Sequence, residues 1–453
     1  MPPVWRIVQI GLLLLGIGLR TWVYLANRSL FLDEANLARA LIEGGSADFF
    51  APLPYEQFAP PLFLVGTKML THFWDTSEPV LRGLPFLFGV LSVGLFWRIA
   101  VRWLPPAVAT VALLVFALHP ALIRYATEFK QYGVDVAVGL FALHCLATPP
   151  KERRDYLVWG SFMLAPWLSM PIVFPMGAAG LVWLVRCPHD WRRWLLVCGL
   201  WLGSFATYFF LVLRSDIGSD YLQSYHAPYF LGSENTPGLL KNLIQQPFGY
   251  TIAAQAFGWV GLVLAAWRLY LRREPWLWLS FATVALTLLA SALHLYTLID
   301  RTVLFLTPFL LLMAAAGWAQ RRALMWGFVA YGLHYATLEN GLRFPRQPLM
   351  VSEARPLLTR LAAAQPAVLY LDAWARPPFW YYVRRPGAPL DFSHTDVRHA
   401  ESEPPGAAGW YLMGHLLSNA HRTEAERWLT DVSIVERWDA PGAGAVRFEA
   451  AEK

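Results

Sequence analysis

Long apolar runs dominate the first three quarters of the chain. A helix needs about 20 mostly apolar residues to cross a bilayer, and eleven runs approach or exceed that length: 4–26, 82–103, 107–126, 131–148, 156–170, 171–186, 194–213, 253–271, 275–293, 302–319 and 323–339. Prolines interrupt the short fifth and sixth runs, which fits either two tilted helices or one broken helix. The pattern predicts an all-α polytopic membrane protein with about eleven transmembrane helices.

Two segments between the apolar runs, 27–81 and 214–252, are too long for simple connectors and too apolar for disorder. In the first, Asp33 can cap a helix that ends near Ile42. The stretch "YEQFAPPLFLVGTKMLTHF" predicts a second helix in the same loop. We expect both helices to lie on the membrane surface, because each has one apolar face.

The last quarter of the chain has a different composition. After the proline-rich "RFPRQPLM", apolar runs shorten and Pro, Ala, Arg and Glu become common. "SEARPLLTRLAAA" and "HRTEAERWLTD" predict helices, while "AVLYLD" and "AVRFEA" predict strands. We therefore expect a transmembrane domain over 1–340 and a small α/β domain over 341–453.

Charge placement predicts the orientation. The chain has 453 residues, is 15% charged and has a net charge of +6. Each predicted inner loop contains Arg or Lys, as at Arg98, Lys151, Arg192, Arg272 and Arg321. The positive-inside rule then gives a cytoplasmic N-terminus, and an odd number of spans places the C-terminal domain outside. The positive net charge follows from this topology, so it indicates no nucleic-acid partner. The three cysteines do not have the spacing of a metal site.

Ionisable residues cluster at the predicted outer ends of the helices. The first cluster, "LDEA", contains Asp33 and Glu34. One interpretation is that Asp33 caps the surface helix and Glu34 is a first-turn acid that favours the helix dipole. The other interpretation is functional, and it depends on two further clusters at the same predicted level.

The second cluster, "HPALIRYATEFKQYGVD", lies at the next predicted outer turn, and on a helix its Arg124, Glu128, Gln131 and Asp135 would form one polar stripe. An Arg124–Glu128 ion pair would explain part of this stripe. It does not explain Asp135, which lies within an apolar run, where ionisable groups usually face a cavity or a partner. The third cluster, "HLYTLIDRTVLF", contains His294, Asp300 and Arg301, although Arg301 could simply extend to the membrane interface.

Acids and cations at one membrane face suit glycosyl transfer. A carboxylate can take the proton from an acceptor hydroxyl as it attacks an anomeric carbon. Arg301, Lys130 or Arg124 can neutralise the phosphate that leaves. The sequence has none of the usual glycine-rich phosphate loops and no DxD pair, so a polyprenyl-phosphate sugar is the expected donor.

Four segments in this order resemble the GT-C superfamily of integral-membrane glycosyltransferases: "LDEA", "APPLFLVGTKMLTHF", "HPALIRYATEFKQY" and "DRTVLFLTPFLLLMAAAGWA". The most similar branch contains protein O-mannosyltransferases, lipid A aminoarabinose transferases and Rgt-type bacterial enzymes. Over residues 1–340 the resemblance implies that Asp33 is the catalytic base with Glu34 beside it. It also implies that Glu128 is the second acid and that Arg301 contacts the carrier phosphate.

The resemblance further implies an inverting enzyme in a bacterial inner membrane. It would move one sugar from an undecaprenyl-type phosphate to an envelope acceptor at the outer face. The WWDYG-type motif of oligosaccharyltransferases is missing, which argues against peptide N-glycosylation. The expected substrate-lining residues are Gln131, Tyr132, Asp135, Tyr225, His226 and His294.

Two questions stay open from the sequence. No cofactor is required because local cations can neutralise the phosphate, but Asp33, Glu34 and Glu128 could hold a divalent cation. Trp374, Trp380 and Tyr381 could stack on sugars or pack the outer domain against the helices.

Two alternative functions have different sequence signatures. A transporter or flippase of lipid-linked saccharides is expected to show an internal repeat with paired broken helices, and none is clear. A lipid-saccharide polymerase or ligase usually relies on a large outer loop late in the bundle, whereas here the long loops come first and in mid-chain.

Overall fold

The computed structural model describes residues 3–187, 189, 191–214, 220–339, 352–387 and 389–450. Most of these residues are helical, and one sheet lies near the C-terminal end. The segment "RFPRQPLM" and the domain boundary predicted after residue 340 lie outside the described residues. Residues 352–450 are called the C-terminal unit below.

The helices that precede the C-terminal unit fall mostly within the predicted apolar runs and the two long loops. In chain order they are α1 (Pro3–Leu25), α2 (Leu32–Glu43), α3 (Pro61–Phe73), α4 (Glu78–Trp103), α5 (Pro106–Leu118), α6 (Pro120–Tyr125), α7 (Tyr132–Leu146), α8 (Arg153–Ser161), α9 (Val173–Arg186), α10 (Trp191–Tyr208), α11 (Asp220–His226), α12 (Thr236–Phe248), α13 (Ile252–Arg272), α14 (Pro275–Ala292), α15 (Thr307–Trp318) and α16 (Arg322–His334). Short 3₁₀ turns at Ser46–Phe50, Phe162–Trp167, Met170–Ile172, Ala227–Tyr229 and Leu304–Leu306 join several of them.

Within the described residues, five helices are long and apolar enough to cross a membrane. They are α1, α4, α13, α14 and the continuous stretch Trp191–Leu213 that begins with α10. Shorter apolar helices cover Pro106–Leu118, Tyr132–Leu146, Met170–Arg186 and Leu304–Trp318. The predicted multi-pass helical bundle is confirmed, whereas the exact number of eleven spans is not.

Two predicted runs are not single helices. Run 107–126 divides between α5 and α6, where Nδ1 of His119 accepts a hydrogen bond from the Leu122 amide at 3.3 Å. Pro120 follows His119 at the start of α6 and has no amide hydrogen to continue the α5 ladder. Run 156–170 changes from α8 to a 3₁₀ turn, Phe162–Trp167, that contains Pro166.

The first long loop contains both predicted helices, α2 and α3. The prediction that Asp33 caps α2 is wrong, because α2 begins at Leu32 and the extended Phe31 occupies the N-cap position. Asp33 therefore lies in the first turn, with its carboxylate available for another partner. Leu37 and Leu41 are fully buried, so the apolar face of α2 packs against the rest of the protein.

The C-terminal unit is a mixed α/β structure. Its helices are α17 (Ala354–Ala364), α18 (Arg376–Arg384) and α19 (Asn419–Arg427), and its strands are β1 (Val368–Leu371), β2 (Asp396–His399), β3 (Ala408–Met413), β4 (Val432–Ala440) and β5 (Ala443–Ala450). The sheet order is β2-β1-β3-β5-β4. β1 pairs in parallel with β2 and β3, while β5 pairs antiparallel with β3 and β4. The predicted elements α17, α19, β1 and β5 are confirmed.

A buried carboxylate attaches the C-terminal unit to the helices. Glu78, at the start of α4, is 1% exposed. It accepts hydrogen bonds from Arg355 at 2.7 Å and from the Tyr382 hydroxyl at 2.8 Å. The Tyr382 hydroxyl in turn accepts a hydrogen bond from the Leu30 amide at 3.2 Å. Helices α17 and α18 thus hold the C-terminal unit against the start of α4 and the segment that leads into α2.

Candidate functional site

The centre of the candidate site is an ion pair between segments that are far apart in sequence. Nη1 of Arg301 lies 2.7 Å from Oδ2 of Asp33, and both side chains are about a quarter exposed, at 27% and 23%. The second guanidinium nitrogen, Nη2, is 3.4 Å from the Tyr225 hydroxyl. Tyr132 and Asp33 raise the pKa of Arg301 against the effect of burial, so the guanidinium stays charged. An acid and a cation are thus adjacent and accessible.

The neighbouring acid, Glu34, is fully buried and has different partners. Arg82 binds both of its oxygens, through Nε to Oε1 at 2.8 Å and through Nη2 to Oε2 at 2.7 Å. The Phe129 amide donates to Oε1 at 2.6 Å, and the Phe31 amide to Oε2 at 3.1 Å. Burial alone would raise the pKa of Glu34, but Arg82 outweighs it and the pKa is lowered. Glu34 is therefore an ionised link between α2, α4 and the segment around Phe129.

The single helical stripe expected through the second cluster does not form. α6 ends at Tyr125 and α7 begins at Tyr132, with turns over 126–131. One reason is that the Phe129 amide donates to Glu34 and is not used in a helical ladder. We call residues 126–131 the acidic turn. Its Glu128 forms the predicted ion pair with Arg124, with Nε to Oε2 at 3.1 Å.

Lys130 lies in the same turn and is 5% exposed. Its Nζ donates to Oε1 of Gln57 at 2.5 Å, which ties the acidic turn to the loop before α3. Burial lowers the pKa of Lys130, while the nearby Asp33 opposes this effect. Asp33 therefore has two cations nearby, Arg301 in direct contact and Lys130 at longer range. Gln57 was not among the predicted residues, since a glutamine in a polar loop has no distinguishing pattern.

The start of α7 contributes three of the predicted lining residues. Gln131 and Asp135 are 8% and 5% exposed, and Tyr132 is 8% exposed. Among the described residues, Oε1 of Gln131 and Oδ1 of Asp135 have no hydrogen-bond partner. Tyr132 lies close enough to Arg301 and Asp33 to interact with them electrostatically. Tyr132 thus lies beside the ion pair, and Gln131 and Asp135 add buried polar atoms at the same end of α7.

The remaining predicted lining residues divide into two groups. Tyr225 contacts Arg301, and His226 is near enough that burial and Arg301 lower its pKa. His294 is exposed, and its ring stacks on Phe230 with centroids 4.9 Å apart. Among the described residues, no contact joins His294 to Asp33 or Arg301.

The C-terminal unit supplies a residue that the sequence did not indicate. The His415 ring lies 5.2 Å from the Phe31 ring, two residues before Asp33. Burial and His421 lower the pKa of His415, whereas the nearby Asp33 raises it. Tyr381, by contrast, is 1% exposed. Its hydroxyl donates to the Thr76 carbonyl at 2.6 Å, which favours a packing role for this residue.

The carboxylates considered for a divalent cation are already bound to arginines. Asp33 pairs with Arg301, Glu34 with Arg82 and Glu128 with Arg124. In the part of the chain that the structure describes, no group of three or more His, Cys, Asp or Glu side chains is arranged to hold a metal ion. In this structure the three carboxylates are thus occupied by guanidinium groups.

Comparison with solved structures identifies the fold of this chain. Sequence comparison alone does not reach it, because no protein-family model and no curated protein matches the chain. The similarity is to solved structures and covers nearly the whole chain. At less than 25% identity it establishes the fold.

Two of these structures are of ArnT from Cupriavidus metallidurans. The one bound to undecaprenyl phosphate has a TM-score of 0.53 and 14% identity, over 99% of this chain and 98% of that one. The apo structure has a TM-score of 0.53 and 13% identity, over 97% and 98%. An Archaeoglobus fulgidus oligosaccharyltransferase in complex with Zn and sulfate has a TM-score of 0.45 and 14% identity, over 83% of this chain and 60% of that one.

Proposed function

We propose that this protein is a membrane glycosyltransferase that moves a sugar from a polyprenyl-phosphate donor to an acceptor in the cell envelope. The reaction inverts the anomeric centre and takes place at the outer face of a bacterial inner membrane. The observation that carries this proposal is the accessible Asp33–Arg301 pair with Lys130 nearby. The fold shared with ArnT, which binds undecaprenyl phosphate, supports the choice of donor.

Asp33 is the proposed general base. It takes the proton from the acceptor hydroxyl as that oxygen forms a bond to the anomeric carbon of the sugar. The bond between the anomeric carbon and the phosphate oxygen breaks, and its electron pair leaves with the polyprenyl phosphate. Arg301 and Lys130 stabilise the charge that develops on the phosphate.

The same ion pair suggests how the donor prepares the base. Without donor, the Arg301 guanidinium contacts the Asp33 carboxylate at 2.7 Å. A bound phosphate competes for that guanidinium, because Arg binds phosphate as well as it binds carboxylate. Once Arg301 turns to the phosphate, Asp33 is free to accept the acceptor proton. Donor binding and base activation are thereby coupled.

The other acids and polar groups have supporting roles in this proposal. Glu34 positions Asp33 by fixing the first turn of α2 to Arg82. Glu128 and Arg124 shape the acidic turn that carries Lys130. Gln131 and Asp135 have buried polar atoms available for hydroxyl groups of the transferred sugar.

A transfer assay tests the function. Purified protein in lipid nanodiscs is incubated with a labelled polyprenyl-phosphate sugar pool and an envelope extract. Asp33→Asn should slow transfer at least about 100-fold, the lower range for loss of a general base. Asp48→Asn is the matched control, since this acid is exposed in the same loop and should leave the rate unchanged. Full-rate transfer by Asp33→Asn would refute the assigned base, and binding without turnover by the wild type would favour a transporter.

A further inference from the structure

We propose that Trp374, His415 and His421 form a binding subsite for a pyranose ring of the acceptor. These three side chains are called the ring cluster below. The inference rests on the proposed transfer reaction and extends it to the chemical class of the acceptor, which is a saccharide. It assigns to the C-terminal unit a direct part in substrate binding.

The three rings contact one another. The His415 ring lies 4.7 Å from the Trp374 ring at an interplanar angle of 26°, and 4.7 Å from the His421 ring at 40°. Trp374 and His421 are 5.5 Å apart at 34°. Trp374 is 36% exposed, so the cluster has an accessible aromatic surface. Flat aromatic faces of this kind suit the C–H faces of a sugar ring.

The backbone around the ring cluster is held at two points by one carboxylate. Oδ1 of Asp372 accepts from the Ala375 amide at 2.5 Å, and Oδ2 accepts from the Gly414 amide at 2.9 Å. Trp374 and His415 follow β1 and β3, two parallel neighbours whose carboxyl ends meet at the same edge of the sheet. A Cβ at residue 414 would come within 2.8 Å of the Trp374 carbonyl carbon, so glycine is required there.

His415 has an unfavourable backbone conformation. Its φ is +52°, in the left-handed region that residues other than glycine seldom adopt. Such strain persists only where the surrounding structure holds it, and it is common at ligand-binding sites. Here it places the imidazole between Trp374, His421 and Phe31.

The ring cluster lies next to the proposed base. The Phe31 ring contacts His415 at 5.2 Å, and Phe31 is the N-cap residue of α2, two residues before Asp33. Asp33 and His415 are close enough to interact electrostatically. Because Asp33 must reach the attacking hydroxyl, the ring that carries this hydroxyl has to lie beside it. Arg301, which the donor phosphate requires, contacts the Asp33 carboxylate directly.

Polar atoms in the ring cluster favour a neutral sugar over an anion. Nδ1 of His415 and Nδ1 of His421 are buried and have no hydrogen-bond partner among the described residues, so the ring cluster contains two polar atoms that its own contacts leave unused. Burial and the neighbouring His421 lower the pKa of His415, which keeps its imidazole uncharged near neutral pH. Arg376, close in sequence to Trp374, is occupied by Glu401. The ring cluster itself contains no Arg or Lys side chain.

Substrate dependence of the transfer rate tests the subsite. Trp374→Ala should raise the extract concentration for half-maximal transfer about tenfold, the upper range for loss of one aromatic contact. The donor concentration for half-maximal transfer and the melting temperature should stay unchanged, and Trp374→Phe should recover most of the loss. Trp380→Ala is the matched control, since this tryptophan lies on α18 and stacks with Arg384 at 4.6 Å. An unchanged extract dependence, or an equal change for the donor, would overturn the subsite.

A binding experiment separates the subsite from the reaction. Saturation-transfer NMR uses methyl glycosides of glucose, galactose and N-acetylglucosamine as probes of the full-length protein in nanodiscs. In wild type and Trp380→Ala, magnetisation should pass from the protein to the ring protons of at least one probe. In Trp374→Ala this NMR signal should be lost. Probe binding by a protein that transfers nothing would contradict the proposed function and keep the subsite. Normal transfer by Trp374→Ala without probe binding would contradict the subsite and keep the function.

Discussion

Asp33 and Glu34 are adjacent on the first turn of α2 and bind different arginines. Neighbouring side chains on a helix point about 100° apart, so Asp33 turns to Arg301 and Glu34 to Arg82. The Glu34–Arg82 pair is 1% and 2% exposed, whereas the Asp33–Arg301 pair is about a quarter exposed. The buried pair suits a structural role, and the accessible pair is the one that we propose exchanges with a ligand.

Removing one charge from the buried pair should destabilise the protein strongly. We expect Glu34→Gln to lower the free energy of unfolding by about 3–5 kcal/mol, because Arg82 keeps a buried charge without its anion. Glu43→Gln, at the more exposed end of α2, should cost about 1 kcal/mol or less. Unfolding in detergent, followed by circular dichroism, measures both. Equal stability of Glu34→Gln and wild type would show that the pair does not hold α2.

The same pair predicts a pH dependence. Arg82 outweighs burial and lowers the pKa of Glu34 below its ordinary value of 4.5. For a carboxyl with a lowered pKa, the stabilisation is fully present above the ordinary value and is lost as pH falls through the lowered one. The stability difference between wild type and Glu34→Gln should therefore be constant from about pH 5 to about pH 8 and shrink only in stronger acid. A difference that declines between pH 8 and pH 6 would contradict this assignment.

At the residue scale, the sequence indicates the charged members of the site but not their partners. Asp33, Glu128 and Arg301 are recognisable because ionisable groups are rare in so apolar a chain. Arg82 and Gln57 are not, since each acts through a contact with a residue 48 or 73 positions away. His415 is still further from α2 in sequence, and only the folded chain brings it to Phe31.

At the scale of elements, the acidic turn depends on a close approach of α4. A Cβ at residue 89 would lie 2.3 Å from the Cβ of Ala126, a distance that real side chains do not adopt. Glycine at this position therefore lets α4 pack directly against the turn that carries Glu128 and Lys130.

Gly89→Ala should displace the acidic turn. We expect it to lower the free energy of unfolding by about 1–3 kcal/mol, the usual cost of overpacking, and to reduce transfer. Gly94→Ala on the same helix is the control, because nothing lies within 4 Å of its added Cβ and alanine favours the helix. Melting temperature and transfer rate are measured for both. If Gly89→Ala behaves like Gly94→Ala, the contact with Ala126 does not position the turn.

The prediction of helices and strands succeeded where an apolar run was long. It failed where contacts with distant segments end or redirect an element. α2, α3 and most of the apolar helices follow from periodicity and length. The break between α6 and α7 does not, because it depends on a hydrogen bond from Phe129 to Glu34. β4 was missed because it is an edge strand with exposed charged positions, such as Arg437 and Asp439.

At the scale of the whole molecule, Tyr382 joins the C-terminal unit to the site. Its hydroxyl accepts from the Leu30 amide at 3.2 Å and donates to Glu78 at 2.8 Å. Leu30 is fully buried, so its amide has no water to replace this partner. The position of the ring cluster relative to Asp33 depends on this attachment.

Tyr382→Phe should loosen the attachment. Leaving the buried Leu30 amide unpaired costs about 1–3 kcal/mol, so we expect faster hydrogen exchange over residues 28–34. The extract concentration for half-maximal transfer should also rise. Tyr370→Phe is the matched control, because its hydroxyl bonds to Arg398 and to the Gly406 amide within the C-terminal unit. Hydrogen-exchange mass spectrometry compares the two variants. Equal exchange over 28–34 in both would mean that Tyr382 does not couple the unit to α2.

In the proposed mechanism, one arginine, Arg301, alternates between the base and the donor phosphate. The most direct measurement is the affinity of nanodisc-embedded variants for polyprenyl phosphate, compared with their transfer rates. Asp33→Asn removes the competing carboxylate, so we expect about two- to fivefold tighter phosphate binding together with lost transfer. Arg301→Met should lose both. Equal affinity in wild type and Arg301→Met, or weaker binding by Asp33→Asn, would contradict the account.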